Sequence, residues 1–103
     1  MTRARILLST ALFFAVNASA MAGDPAAGRT RATTCTACHG ENGVAIAPDY
    51  PNLAGQNERY LVKALKAYKS GARNDPLMRP MAMPLSDSDI ENIAAYFSSL
   101  SCR

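Results

Sequence analysis

Cys35-Thr36-Ala37-Cys38-His39 is the stretch that decides how this chain is read. Two thiols three residues apart share one helical turn and can add to the vinyl groups of a haem, while the next residue, a histidine, is carried beneath the iron as its proximal ligand. A thioredoxin-like redox pair would sit in strand–helix–strand surroundings, and no β-branched, period-2 runs flank this motif. A zinc ion could formally recruit Cys35, Cys38, His39 and Cys102, but adjacent Cys38 and His39 would then have to serve one tetrahedral ion, closer than structural sites space their ligands. A Cys35–Cys38 disulfide leaves the only histidine of the chain unexplained. Covalent attachment of haem uses all three residues.

Upstream, Arg3 and Arg5 precede an apolar run from Ile6 to Val16 and the small residues Ala18-Ser19-Ala20. That order predicts a secretory signal peptide over residues 1–20, with Ala20-Met21-Ala22 offering a second cleavage point after Ala22. The run is too short to span a bilayer as a helix, so no membrane span is expected after cleavage. One domain, residues 21–103, then remains, 83 residues long. So small a domain buries little apolar area and needs a staple, which covalent haem would provide. Loss of Arg3 and Arg5 leaves nine basic against eight acidic residues, a net charge of +1, and nucleic acid is not an expected partner.

The remaining pattern is helical. Asp24-Pro25 is a helix start that leads to about Thr33. Gly40 to Gly43 is turn-rich, and Ala47 to Gly55 with Pro48 and Pro51 reads as an irregular loop. A second helix is expected from about Glu58 to Lys69, capped by Asn57 and stopped by Gly71. It would bury Leu61, Leu65 and Tyr68 and present Arg59, Lys63 and Lys66 on another face, with Lys69 and Arg73 beyond. Asn74 to Pro84 holds Pro76, Pro80 and Pro84 and is expected to wrap as an extended loop. Ser86 with Asp89 forms a capping-box pattern before a last helix whose stripe is Ile90, Ile93, Ala94, Phe97 and Leu100. One motif and no internal repeat imply one haem.

An electron-shuttling haem wants a second strong axial ligand, and a thioether favours the ferrous state. With no second histidine, Met78, Met81 and Met83 in the proline-rich loop are the candidates. Each could instead fill a gap in the core.

Taken together, Cys35 to His39, the loop with Pro48 and Leu53, the methionine loop, and Leu85-Ser86-Asp87 with Ala94-Ala95-Tyr96-Phe97 resemble class I cytochrome c, most of all the small bacterial periplasmic cytochromes of the c-four type. The resemblance implies an all-α fold of three to four helices and loops around one covalent haem c and its iron. Its first and last helices would cross with Gly28 meeting the region of Tyr96. It also implies that the imidazole N–H is received by the Pro48 carbonyl, and that Leu53 lines the cofactor. Met78, eight residues before Ser86, would be the distal ligand, and Met81, which follows a proline, the second choice. Many such relatives carry two fused domains where this chain has one.

The function implied is that of a periplasmic one-electron carrier between a redox donor protein and an acceptor, not an enzyme, with no small-molecule substrate. The alternatives are a haem subunit of a dehydrogenase or oxidase complex, and a peroxidase or gas sensor with an open iron site. Docking is expected through small and apolar residues such as Ala37, Ala47 and Pro80, with the basic stripe giving modest steering. Cys102, the leftover thiol, is expected to be tolerated rather than paired.

Overall fold

The computed structural model describes residues 1–14 and 23–102. Residues 1–14 form no helix or strand and are exposed; the expected cleavage points after Ala20 and Ala22 lie outside the described residues. From Gly23 onward the chain folds into helices α1 (Pro25–Arg31), α2 (Thr33–His39), α3 (Glu58–Ser70), α4 (Met78–Ala82) and α5 (Asp87–Ser99). No strand occurs among the described residues, and none of their helices is long and apolar enough to cross a membrane.

Each long helix begins where a side chain satisfies the otherwise unpaired first-turn N–H groups. The Asp24 carboxylate accepts from Ala26 N at 2.9 Å, and Pro25 occupies a first-turn position where its missing donor costs nothing. Asn57 accepts from Arg59 N at 3.0 Å, and Gly71 ends α3 at φ 83°, a left-handed conformation that favours glycine. At α5 both halves of the capping box form: Asp89 N donates to Ser86 Oγ at 3.0 Å, and Ser86 N donates to the Asp89 carboxylate at 2.9 Å. That backbone N–H, followed by the Ser86 hydroxyl and Arg31, holds the Asp89 carboxyl below its ordinary range.

The described residues form five helical segments where three to four helices were expected. The Pro25 helix breaks at Ala32, which closes α1 with a bond from its N–H to Gly28 O at 2.8 Å, and the chain restarts as α2. The segment Asn74–Pro84, expected as an extended loop, contains the turn of helix α4. Pro80 is its third residue, and first-turn N–H groups have no partner within the helix, so proline is tolerated there.

The core is the crossing of α1 and α5, flanked by α3. Ile90, Ile93, Ala94 and Phe97 are buried as the stripe requires, Leu100 is half-buried, and Leu61 approaches from α3 with Leu65 and Tyr68 partly buried beside it. Gly28 sits against the backbone of Asn92 and Ile93, one turn before the Tyr96 region expected to meet it; a Cβ there would lie 1.8 Å from Asn92 O. The helices can therefore touch only through glycine. Asp24 N donates to Asn92 Oδ1 at 2.8 Å, and Arg31 pairs with Asp89 at 3.4 Å across the same seam.

This crossing gives a direct test. Gly28→Ala should push α1 off α5 and destabilise the domain by about 1–3 kcal/mol, measured by denaturant unfolding of the haem-loaded protein; a loss below about 0.5 kcal/mol, typical of surface changes, would contradict the packing.

Candidate haem site

Helix α2 carries the whole motif. Cys35 and Cys38 are both free and half-buried, one turn apart, and His39 is the last helical residue, with its side chain buried. Among the described residues His39 is the one buried polar or charged residue. Its Nδ1 lies 2.9 Å from Pro51 O. A carbonyl can only accept, so Nδ1 carries the proton and Nε2 keeps a free lone pair, the state a metal requires.

The partner is Pro51, not Pro48. Tyr50 N bonds back to Ala47 O at 3.2 Å, which makes Ala47–Tyr50 a β-turn with Pro48 at its corner. Both prolines are exposed, and it is Pro51, just past the turn, whose carbonyl meets the imidazole. The returning strand of this loop is fixed by Gly43 O, which accepts from Leu53 N at 2.8 Å and Ala54 N at 3.0 Å. Leu53 is half-buried against the core. The Tyr50 ring stands edge-on to the imidazole with centroids 6.4 Å apart.

Two long-range bonds escaped the sequence reading. Tyr96 donates its hydroxyl proton to Glu41 O at 2.6 Å, tying α5 to the turn that leaves His39. Lys69 Nζ donates to Leu85 O, tying the end of α3 to the segment between α4 and α5. Neither has a local sequence signal, since each depends on how distant helices pack. A third feature was legible and passed over: Asp75, three residues before Met78, accepts from Leu77 N and Met78 N, each at 2.9 Å. Those donors, Met78 first, hold its carboxyl below the ordinary range.

The methionines are not equivalent. Met78, first in α4, is half-buried, whereas Met81 and Met83 are 49% and 56% exposed. Exposed Ile46 and Leu77 add further apolar surface on the two loops. Burial pushes the Cys35 thiol above its ordinary value, against the opposing Thr34 hydroxyl and Arg31 charge. Among the described residues no three His, Cys, Asp or Glu side chains come together as metal ligands would.

The expected basic stripe is shortened. Arg59, Lys63 and Lys66 are exposed, but Lys69 is half-buried and bonded, and the Arg73 guanidinium lies 4.6 Å above the Tyr68 ring. Cys102 is free and exposed, packed over Gly55.

This donor set fits haem: two thiols on one turn, an imidazole whose Nδ1 proton is held by a carbonyl so that Nε2 could bind iron, and a half-buried thioether at Met78. Residues 25–101 match the family model for cytochrome c. The chain belongs to the cytochrome c family. It is 56% identical over 81 residues to cytochrome c-554(548) of Halomonas halodenitrificans, covering 76% of this chain and 98% of that one. The structure of reduced recombinant cytochrome c4 from Pseudomonas stutzeri superposes with a TM-score of 0.74 at 47% identity, covering 78% of this chain and 47% of that chain. A thiosulfate dehydrogenase electron acceptor of Thiomonas intermedia is 43% identical over 91 residues, covering 87% of this chain and 40% of that protein. The chain thus spans less than half the length of the last two relatives. It is a class I c-type cytochrome of the c4 type, an electron-transfer protein with covalently attached haem c and its iron.

Acid-acetone extraction of denatured protein should leave the haem on the polypeptide. Cys35→Ala with Cys38→Ala should release it, and release from the parent protein would contradict thioether attachment at this motif.

Proposed function

We propose that this cytochrome is an exported, periplasmic, single-haem carrier that passes one electron at a time between redox proteins, with His39 and Met78 as the axial ligands of its iron. Bound haem supplies the ferric–ferrous couple. The protein fixes its ligands, keeps the site dry and offers a surface to partners. The observation that carries the ligand assignment is the contrast between Met78, half-buried and held by a capped turn, and the more exposed Met81 and Met83. A thioether opposite an imidazole favours the ferrous state and raises the potential, which suits a carrier fed by a dehydrogenase. The Arg3, Arg5 and Ile6–Val16 pattern supports export with cleavage after Ala20 or Ala22.

Met78→Ala should abolish the weak near-infrared methionine-to-ferric-iron band and lower the midpoint potential. Met81→Ala and Met83→Ala should preserve both, and loss of the band in Met81→Ala alone would move the ligand to Met81.

A second reading, a haem subunit held permanently by a dehydrogenase, is favoured by the resemblance to the thiosulfate dehydrogenase electron acceptor. Gel filtration of native periplasm separates the two, because a free carrier elutes at the size of one small domain and a subunit with its partner.

Docking is mainly apolar in this reading. Exposed Ala37, Ile46, Leu77, Pro80 and Met81 and half-buried Ala47 supply the apolar surface for the contact, and exposed Arg59, Lys63 and Lys66 of α3 steer weakly. Electron transfer to the native partner, followed by stopped flow, should slow less than about tenfold as ionic strength rises past roughly 0.1 M. A steeper loss, removed by Lys63→Glu with Lys66→Glu, would make the basic face the docking site.

A further inference from the structure

We propose that Asp75 is the positioning residue for the distal ligand: its carboxylate holds the backbone that presents Met78, and so sets how firmly that sulfur stays on the iron. This deepens the reading in which Met78 ligates and rests on it.

Helix α4 has five residues, too few to form on its own, because the first helical turn fixes several dihedrals for a single bond. Something outside the helix must start it. Leu77, in the N-cap position of α4, offers no side-chain acceptor, and Asp75 takes over that role from two residues upstream. One carboxylate oxygen accepts from Leu77 N and from Met78 N, both at 2.9 Å, and the Asp75 backbone carbonyl accepts from Arg79 N at 3.1 Å. Three consecutive N–H groups, centred on Met78, are thus pinned to one residue. Hydrogen bonds to an ionised acceptor are stronger than neutral ones, and two converge here.

The rest of the segment is held at its far ends. Downstream, Ala82 and Leu85 are buried, and Lys69 bonds to the Leu85 carbonyl. Upstream, Arg73 N bonds to Ala67 O at 3.1 Å, and the Arg79 guanidinium packs over the left-handed Gly71, whose Cβ would lie 3.2 Å from Arg79 Cζ. Asp75 is the tie placed at the ligand itself. An iron–thioether bond is weak, so its persistence in ferric protein depends on the loop returning the sulfur to one place after each opening. Removing the carboxylate leaves the anchors of the segment intact and frees the residue that matters.

The experiment compares Asp75→Ala, Asp75→Asn and Met78→Ala in the haem-loaded ferric protein. The near-infrared methionine band is read against temperature, alongside far-UV circular dichroism and the rate of imidazole binding. In Asp75→Ala the band should fade well below the temperature of global unfolding, and imidazole should bind about tenfold faster or more. In Asp75→Asn, whose amide oxygen accepts from the same two N–H groups, both should stay within about threefold of the parent. An Asp75→Ala protein with the parent's band and imidazole rate, beside a Met78→Ala protein that has lost the band, overturns the role of Asp75 and leaves the ligand assignment standing. A Met78→Ala protein that keeps the band overturns the ligand assignment and this inference with it. Fading of the band only together with the circular dichroism signal shows a structural role alone and also overturns the inference.

Discussion

The hydrogen bond from His39 Nδ1 to Pro51 O is the constraint on which the site depends. It fixes the tautomer, so Nε2 keeps its lone pair, and it orients the ring. It also joins the end of α2 to the loop that follows the Ala47–Tyr50 turn, beside the bonds from Leu53 N and Ala54 N to Gly43 O that hold the same loop. The buried imidazole is thereby satisfied, since an unpartnered polar group there would cost about 1–3 kcal/mol.

Everything around this bond holds α2 where it is. The crossing of α1 and α5 at Gly28 sets the direction in which the chain enters the motif, because Ala32 alone separates α1 from α2. The Tyr96 hydroxyl on Glu41 O then fixes the way the chain leaves it. In the methionine segment, Lys69 ties the residues after α4 to α3, and Asp75 ties Met78 to the first turn of α4. The imidazole and the Met78 segment are thus anchored by separate sets of bonds, His39 through Pro51 and Met78 through Asp75.

Much of this was legible because the signals are local. The motif at Cys35–His39, the Asp24-Pro25 start, the Asn57 cap with Gly71, and the Ser86–Asp89 capping box each need only a few neighbouring residues to operate, and the structure forms them all. Where the structure departs from the sequence reading, the outcome depends on how those pieces meet. Two prolines, Pro48 and Pro51, lie in one loop, and which carbonyl faces the imidazole is decided by the turn that places Pro48 at its corner. Gly28 meets Asn92 rather than Tyr96 because helix register at a crossing is set by the closest approach of two backbones, which neither stripe encodes. The run of prolines from Pro76 to Pro84 concealed α4, since Pro80 falls where a helix lacks partners for its N–H groups in any case.

The central claim is that His39 and Met78 are the two side chains that would hold the iron. Methionine methyl-labelled protein in the ferrous state, followed by NMR, tests it most directly, because a methyl group bound over the porphyrin face is displaced far upfield by the ring current. The account predicts one such methyl signal, missing when Met78 is replaced and present when Met81 or Met83 is. An upfield signal that survives replacement of Met78, or none in the parent protein, would contradict it.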